Sequence, residues 1–138
     1  MTPSETSPDA TPTPPAVEPV TRLIDQTRVD RYAVAAHDLN PIHRETPEAR
    51  AGQFGRPIAH GMLVLALVSE AMAATFGDAW AEGGELRVRW RSPALTPVTI
   101  TARAEPKSLR DGIATYNVVC EDESGQLLLS GTASAPHT

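Results

Sequence analysis

Between Glu85 and Arg91 the side chains alternate, with Leu86, Val88 and Trp90 on one side and Arg87, Arg89 and Arg91 on the other. Alternation with a period of two predicts a strand with one buried face. Three more strand candidates follow, at 98–104, 113–120 and 127–133. A Pro-rich turn precedes the first, Asp111-Gly112 separates the first from the second, and Ser124-Gly125 precedes the third. An Asp-Gly pair between alternating segments is a strong signal for a tight hairpin. The second half of the chain is therefore read as an antiparallel sheet, which must bury its apolar face against another layer.

The partner for that face lies upstream. From Ile58 to Phe76 apolar residues fall on every side of a helical projection, including Met62, Leu63, Val64, Leu65, Leu67, Val68, Met72 and Phe76. A helix apolar all round belongs in a core. His60, Ser69 and Glu70 interrupt the run, which is too short and too polar to span a bilayer comfortably. Further upstream, Val20 to Ile24 is a short strand. Thr27, with Asp30 three residues on, reads as the cap of a helix running to about Ala36. Val29, Tyr32, Ala33 and Ala36 would share one face of it. Pro41 disfavours helical geometry at Asn40, so the stretch from His37 to His43 is irregular. Thr46 then caps a short helix with Pro47 at its first position and Gly52 at its end. These elements together predict a single α+β domain, one long central helix wrapped by an antiparallel β-sheet, which is the hot-dog fold.

Residues 1–18 change the picture only at the margin. They are rich in Thr and Pro, have no aromatic residue, and bury too little to offset their ordering entropy. A disordered tail over 1–18 and a folded domain over 19–138 are expected. The 138 residues carry a net charge of −5, which argues against a nucleic-acid partner. Cys120 is the single cysteine, so no disulfide forms within the chain. With neither a signal-peptide pattern nor a membrane span, a cytoplasmic location is expected.

The chemistry concentrates in two places. His37-Asp38-Leu39-Asn40-Pro41-Ile42-His43 is followed at a fixed separation by Ala59-His60-Gly61-Met62. Taken singly, Asp38 and Asn40 are ordinary turn formers and His43 is an ordinary loop histidine. Taken together, the two segments resemble the MaoC-like, R-specific enoyl-CoA hydratase family, whose motif runs Ser-Gly-Asp-x-Asn-Pro-apolar-His and then apolar-His-Gly-Met. The looser similarity extends over about residues 20 to 135.

The resemblance implies a hydratase or dehydratase that interconverts 2-enoyl and (3R)-3-hydroxyacyl thioesters on coenzyme A or an acyl carrier protein. It implies a homodimer or a heterodimer with another hot-dog subunit, no metal and no redox cofactor. It assigns Asp38 and His43 as the acid-base pair. Imidazole exchanges a proton near neutrality, and a partly buried carboxylate serves as a base. Asn40 would fix the loop. Gly61, opening the buried helix, would offer its N–H to the thioester oxygen. Ser69 matches a position that orients the catalytic carboxylate, against the simpler reading that it back-bonds to Leu65. His60 is read as capping or packing at the helix start. The Arg87, Arg89, Arg91 row and Arg56 are phosphate candidates set against plain solvated positions, and Cys120 is read as a buried structural thiol.

Two departures stand out. Ala36-His37 replaces Ser-Gly before Asp38, and Glu45 replaces the Asp two residues after His43. A second imidazole beside Asp38 points to solvent, narrows the acyl pocket or joins the proton transfer. It keeps open two other readings: a related enzyme of specialised metabolism, and a non-catalytic partner subunit.

Overall fold

The first strand and first helix are joined by one residue. Strand β1 (Val20–Ile24) ends in the core at Ile24, and Asp25 then caps helix α1 (Gln26–Ala36), accepting from the N–H of Arg28 at 2.9 Å. The expected cap at Thr27 is thus two residues late. Aspartate is as good a cap as threonine, and Asp25 comes first, directly where the strand releases the chain. Asp30 accepts instead from the Gln26 amide one turn away, at 2.9 Å. Val29 and Ala33 are buried as the spacing predicts, whereas Ala36, at the helix end, is exposed.

Residues 12–138 are described in this computed structural model. After α1 come a 3-10 turn (Pro41–His43), helix α2 (Pro47–Ala51) capped by the Thr46 side chain, helix α3 (Gly61–Phe76) and a short helix α4 (Asp78–Gly83). Strands β2 (Glu85–Trp90), β3 (Val98–Arg110), β4 (Ile113–Glu121) and β5 (Leu127–Pro136) complete the chain. The five strands among the described residues form one antiparallel sheet in the order β1-β3-β4-β5-β2. Strand β3 runs six residues past its expected end at Ala104, because a register shift between Pro106 and Ser108 absorbs the proline and pairing resumes. The β3–β4 hairpin turns at Asp111 and Gly112, with φ of 53° and 75°. Two successive positive φ values make a turn whose twist matches its strands, which is why Asp-Gly marks it.

Helix α3 lies along the inner face of this sheet. Leu63, Val64, Leu67, Val68, Ala71 and Met72 are buried against Ile100, Ala102, Val118, Cys120 and Leu129 of the strands. Each large apolar side chain removed from water here contributes about 1.5–3 kcal/mol before packing terms. The arrangement is the expected hot-dog fold, with one correction. In the single chain α3 is buried on one face only, and Met62 on the other face is 55% exposed. Glu70, also outside, pairs with Arg22 of β1. No helix among the described residues is long and apolar enough to cross a membrane.

Of the segment expected to be a tail, residues 1–11 lie outside the described residues. The rest comes close to the sheet before β1 begins: Pro14 and Val17 are buried, and the Tyr116 hydroxyl donates to the Pro15 carbonyl at 2.6 Å. Cys120 is buried with the core strands, and burial pushes its thiol up to about 12.

Candidate active site

Three short backbone events deliver the candidate residues to one place. Helix α1 ends when His37 adopts left-handed geometry (φ 57°, ψ 34°), with its N–H bonded to Val34 O and the next N–H, of Asp38, to Ala33 O. This is the helix stop at which glycine is usual, because a side chain there crowds the backbone. The stop throws Asp38 sideways off the helix. Its Oδ1 accepts from the Asn40 N–H at 3.3 Å, and the Asn40 Oδ1 accepts from the Ile42 N–H at 3.1 Å. Asn40 therefore fixes the loop as expected, and does so by capping the 3-10 turn that carries His43. Finally, residues 58–60 run extended into α3, placing His60 at its N-cap without a capping bond from its side chain.

The result is a cluster of one carboxylate and two imidazoles. The His43 Nδ1–H donates to the carbonyl of Ile58 at 2.8 Å, since a carbonyl only accepts. In the neutral ring this leaves the lone pair on Nε2, which faces Asp38 Oδ2 at 3.8 Å. The His43 side chain is 10% exposed and that of Asp38 49% exposed, so the pair has a dry side and an open side. Two acceptors 3.8 Å apart both reach one water oxygen at ordinary hydrogen-bond lengths of ~2.8 Å. A water donating a hydrogen to each keeps an oxygen lone pair free.

His60 is the member that motif reading undervalued. Its side chain is 3% exposed, its Nε2 lies 3.1 Å from the Asp38 carbonyl, and its ring stacks on that of His43 with centroids 3.7 Å apart. The tight spacing of His-Gly-Met after the first motif was the available signal, but a histidine at a helix start has many ordinary uses.

Asp38, His43 and His60 each offer a ligand atom, all within 4.8 Å of one another. The set is poorly arranged for a metal. Imidazole binds an ion in the plane of its ring, and two rings stacked 3.7 Å apart with planes only 24° apart cannot both aim in-plane at one ion.

Gly61 stands at the first turn of α3, where its N–H has no partner within the helix and sits at the positive end of the helix dipole. A Cβ on Gly61 would lie 2.7 Å from Trp90 Nε1, so the indole occupies the space that a side chain would need. A cavity of about 310 Å³ opens here, lined by Ile58, Gly61, Val64, Trp90, Ala94 and Leu128 among others. Ile58, Ala59 and Gly61 line this cavity, and Asp38, His43 and His60 do not.

The sequence of the MaoC like domain matches residues 4–125 of this chain. The chain belongs to the MaoC-like family. Its curated relatives include the (R)-specific enoyl-CoA hydratase of Aeromonas caviae, 28% identical over 107 residues that cover 76% of this chain and 80% of the relative. The mitochondrial 3-hydroxyacyl-[acyl-carrier-protein] dehydratase of Arabidopsis thaliana is 28% identical over 120 residues, 83% of this chain and 71% of that one. Among solved structures, the (R)-hydratase of A. caviae superposes with a TM-score of 0.78 at 25% identity, covering 88% of this chain and 93% of that chain.

Within this MaoC-like frame some expectations change. Ser69 does not bond to Asp38 or to Leu65: its hydroxyl accepts from the Trp80 Nε1–H at 2.8 Å and ties α3 to α4. A helix position was legible, but which neighbour it faces depends on α4, an element the pattern did not reveal. Arg56 is likewise engaged, donating to the carbonyls of Leu95 and Thr96. Arg87 and Arg89 stay exposed and have no ion-pair partner among the described residues, while Arg91 donates to the Ser130 hydroxyl at 2.8 Å. Glu45 forms an ion pair with Arg50.

His37 is exposed, and its oddity is a backbone matter. His37→Gly is expected to raise stability by about 1 kcal/mol, since a non-glycine residue in left-handed geometry costs roughly 1–2 kcal/mol. Steady-state rates are expected to stay within twofold across pH and acyl chain length. Urea unfolding and rate profiles check both halves. A profile that changes shape would put the ring back into the site.

Proposed function

We propose that the protein adds water across 2-enoyl thioesters and removes it from (3R)-3-hydroxyacyl thioesters, with Asp38 and His43 as the acid-base pair. The observation that carries this reading is the pairing of two acceptors, Asp38 Oδ2 and the free Nε2 of His43, 3.8 Å apart at an open edge. Hydration joins hydroxyl to C3 and a proton to C2. A water held through both hydrogens presents its oxygen to C3, one member of the pair takes a proton, and that proton returns to C2. Elimination is the same path reversed. Charge that builds on the thioester oxygen meets the Gly61 N–H at the helix start. The exposed His37 ring, placed at the helix stop, supports this reading over the other enzyme classes and the non-catalytic role that the departure had kept open. Loss of enoyl absorbance on mixing with crotonyl-CoA and with a longer 2-enoyl-CoA tests the proposal, and no turnover of either, nor of the carrier-protein thioester, would end it.

The substrate handle is a phosphorylated pantetheine arm. An open concavity of about 540 Å³ is lined by Arg87, Val88, Arg89, Arg91, Ser130 and Gly131, and shares Arg91 with the cavity beside Gly61. Arg87→Ala combined with Arg89→Ala is expected to raise KM several-fold with kcat within twofold. The salt dependence of KM should flatten, because exposed charges are screened over about 10 Å at 0.1 M salt. Unchanged KM at low salt would assign these arginines to solvent.

We also place the protein in a dimer with a second hot-dog chain, its own copy or another. Among the described residues strand β2 pairs with β5 alone, so its outer edge is a free sheet edge there. Trp90 at the end of β2 is 49% exposed, and Met62 and Leu39 are large apolar side chains 55% and 56% exposed. Sedimentation is expected to give a dimer at micromolar concentration, and an active monomer there would refute this. We read the substrate chemistry and the lone cysteine as fitting a cytoplasmic location.

A further inference from the structure

We infer that His60 is the positioning residue of the site, holding Asp38 and His43 at their working separation; this rests on the proposed hydratase reading. A histidine at this place is costly. The ring is 3% exposed, and its Nδ1 is buried with no hydrogen-bond partner among the described residues. A buried polar atom left unpaired calls for an explanation, since a leucine or phenylalanine would fill the space without one. The ring makes one polar bond only. The Asp38 carbonyl accepts, so Nε2 carries the hydrogen and Nδ1 is a bare lone pair. The polar character of His60 is thus directed at the backbone of Asp38.

Its faces do the rest. One packs on His43 at 3.7 Å, nearly parallel, and the ring also meets Tyr32 of α1 at 4.8 Å and 59°. His60 is therefore in contact with α1, the Asp38 loop, the 3-10 turn and the start of α3. It fixes Asp38 through a hydrogen bond and His43 through stacking. Its own Nε2 lies 3.8 Å from Asp38 Oδ2, with the hydrogen committed to the carbonyl. His60 acts through the pair and transfers no proton. The charged or titratable groups that face it are Asp38, His43 and Tyr32.

The test separates the two contacts. His60→Phe keeps the stacked ring and loses the donor; His60→Gln keeps an N–H donor and loses the ring. With crotonyl-CoA, His60→Phe is expected to lower kcat by ~10-fold or more with KM within about threefold, since small misplacements of reacting groups cost up to ~10²-fold. His60→Gln should recover part of that kcat even where its urea midpoint is lower. Wild-type kcat in His60→Phe, a loss confined to KM, or losses in both variants that follow stability alone would overturn the inference. Long-range ¹H–¹⁵N imidazole spectra of the wild-type protein give a readout that needs neither a variant nor turnover. They should show His60 as the Nε2–H tautomer and His43 as the Nδ1–H tautomer. The Nδ1–H tautomer at His60 refutes the inference whether or not the protein turns over enoyl thioesters, whereas absent turnover with the expected tautomers refutes the hydratase reading alone.

Discussion

Asp38→Asn is expected to lower kcat by ~10²-fold or more and to leave the fold intact, as for loss of a positioned acid or base. The carboxylate sits on a loop, half exposed, and its one hydrogen bond among the described residues is the acceptance from the Asn40 N–H at 3.3 Å. An amide oxygen makes that bond equally well, so the loop keeps its shape. What the amide cannot do is take a proton. His43 calls for more care. It is buried, stacked on His60 and bonded to the Ile58 carbonyl, so His43→Ala removes packing and leaves that carbonyl unpaired. A buried acceptor left unsatisfied costs about 1–3 kcal/mol. The sequence alone suggests a loop residue that is free to change, and burial corrects this. His43→Gln, which retains an N–H toward Ile58, is the cleaner variant, with a similar drop in kcat and a smaller loss of stability. Rates from enoyl absorbance, read beside urea midpoints, check all three. Full activity in Asp38→Asn or in His43→Gln would remove the pair from the chemistry.

The fold was legible because its signals are local and redundant. Alternation marked β2, turn signals marked where β3 to β5 begin, Asp-Gly marked a turn that needs two positive φ values, and the apolar run marked the helix beneath them. Motif spacing also made legible that Asp38, Asn40 and His43 come together on one loop, while their roles stand as proposed. The misses share a cause. Ser69 faces Trp80 because α4 folds back along α3, and a six-residue helix leaves too weak a period to read. Arg56 looked free because its partners are backbone carbonyls 39 and 40 residues away, which no side-chain pattern encodes. His60 looked like a helix-start residue, and it is one. Its contact with Asp38 arises only when the chain returns 22 residues later. Local rules place elements, while the partner of a polar side chain is set by how those elements close on each other.

Gly61→Ala carries the second large effect. The added methyl would lie 2.7 Å from Trp90 Nε1, closer than real Cβ contacts allow, and a tight 3.0 Å from Trp90 Cε2. One of the two must give, and Trp90, 49% exposed at the end of β2, is the freer. Alanine suits a helix first turn better than glycine, by up to about 1 kcal/mol, so the fold should survive with little change in urea midpoint. The N–H proposed to meet the thioester oxygen would now sit behind a methyl group and a displaced indole. Removal of one donor from such a site costs ~10²–10³-fold in kcat, and a loss of that order is expected here, with KM changing less. Gly61→Ala combined with Trp90→Ala separates the causes. Recovery of activity in the double variant would assign the loss to the displaced indole. Continued inactivity would assign it to the methyl group in the oxygen's path. A singly substituted protein with wild-type kcat would remove Gly61 from the oxyanion site, and the thioester oxygen would need a different donor.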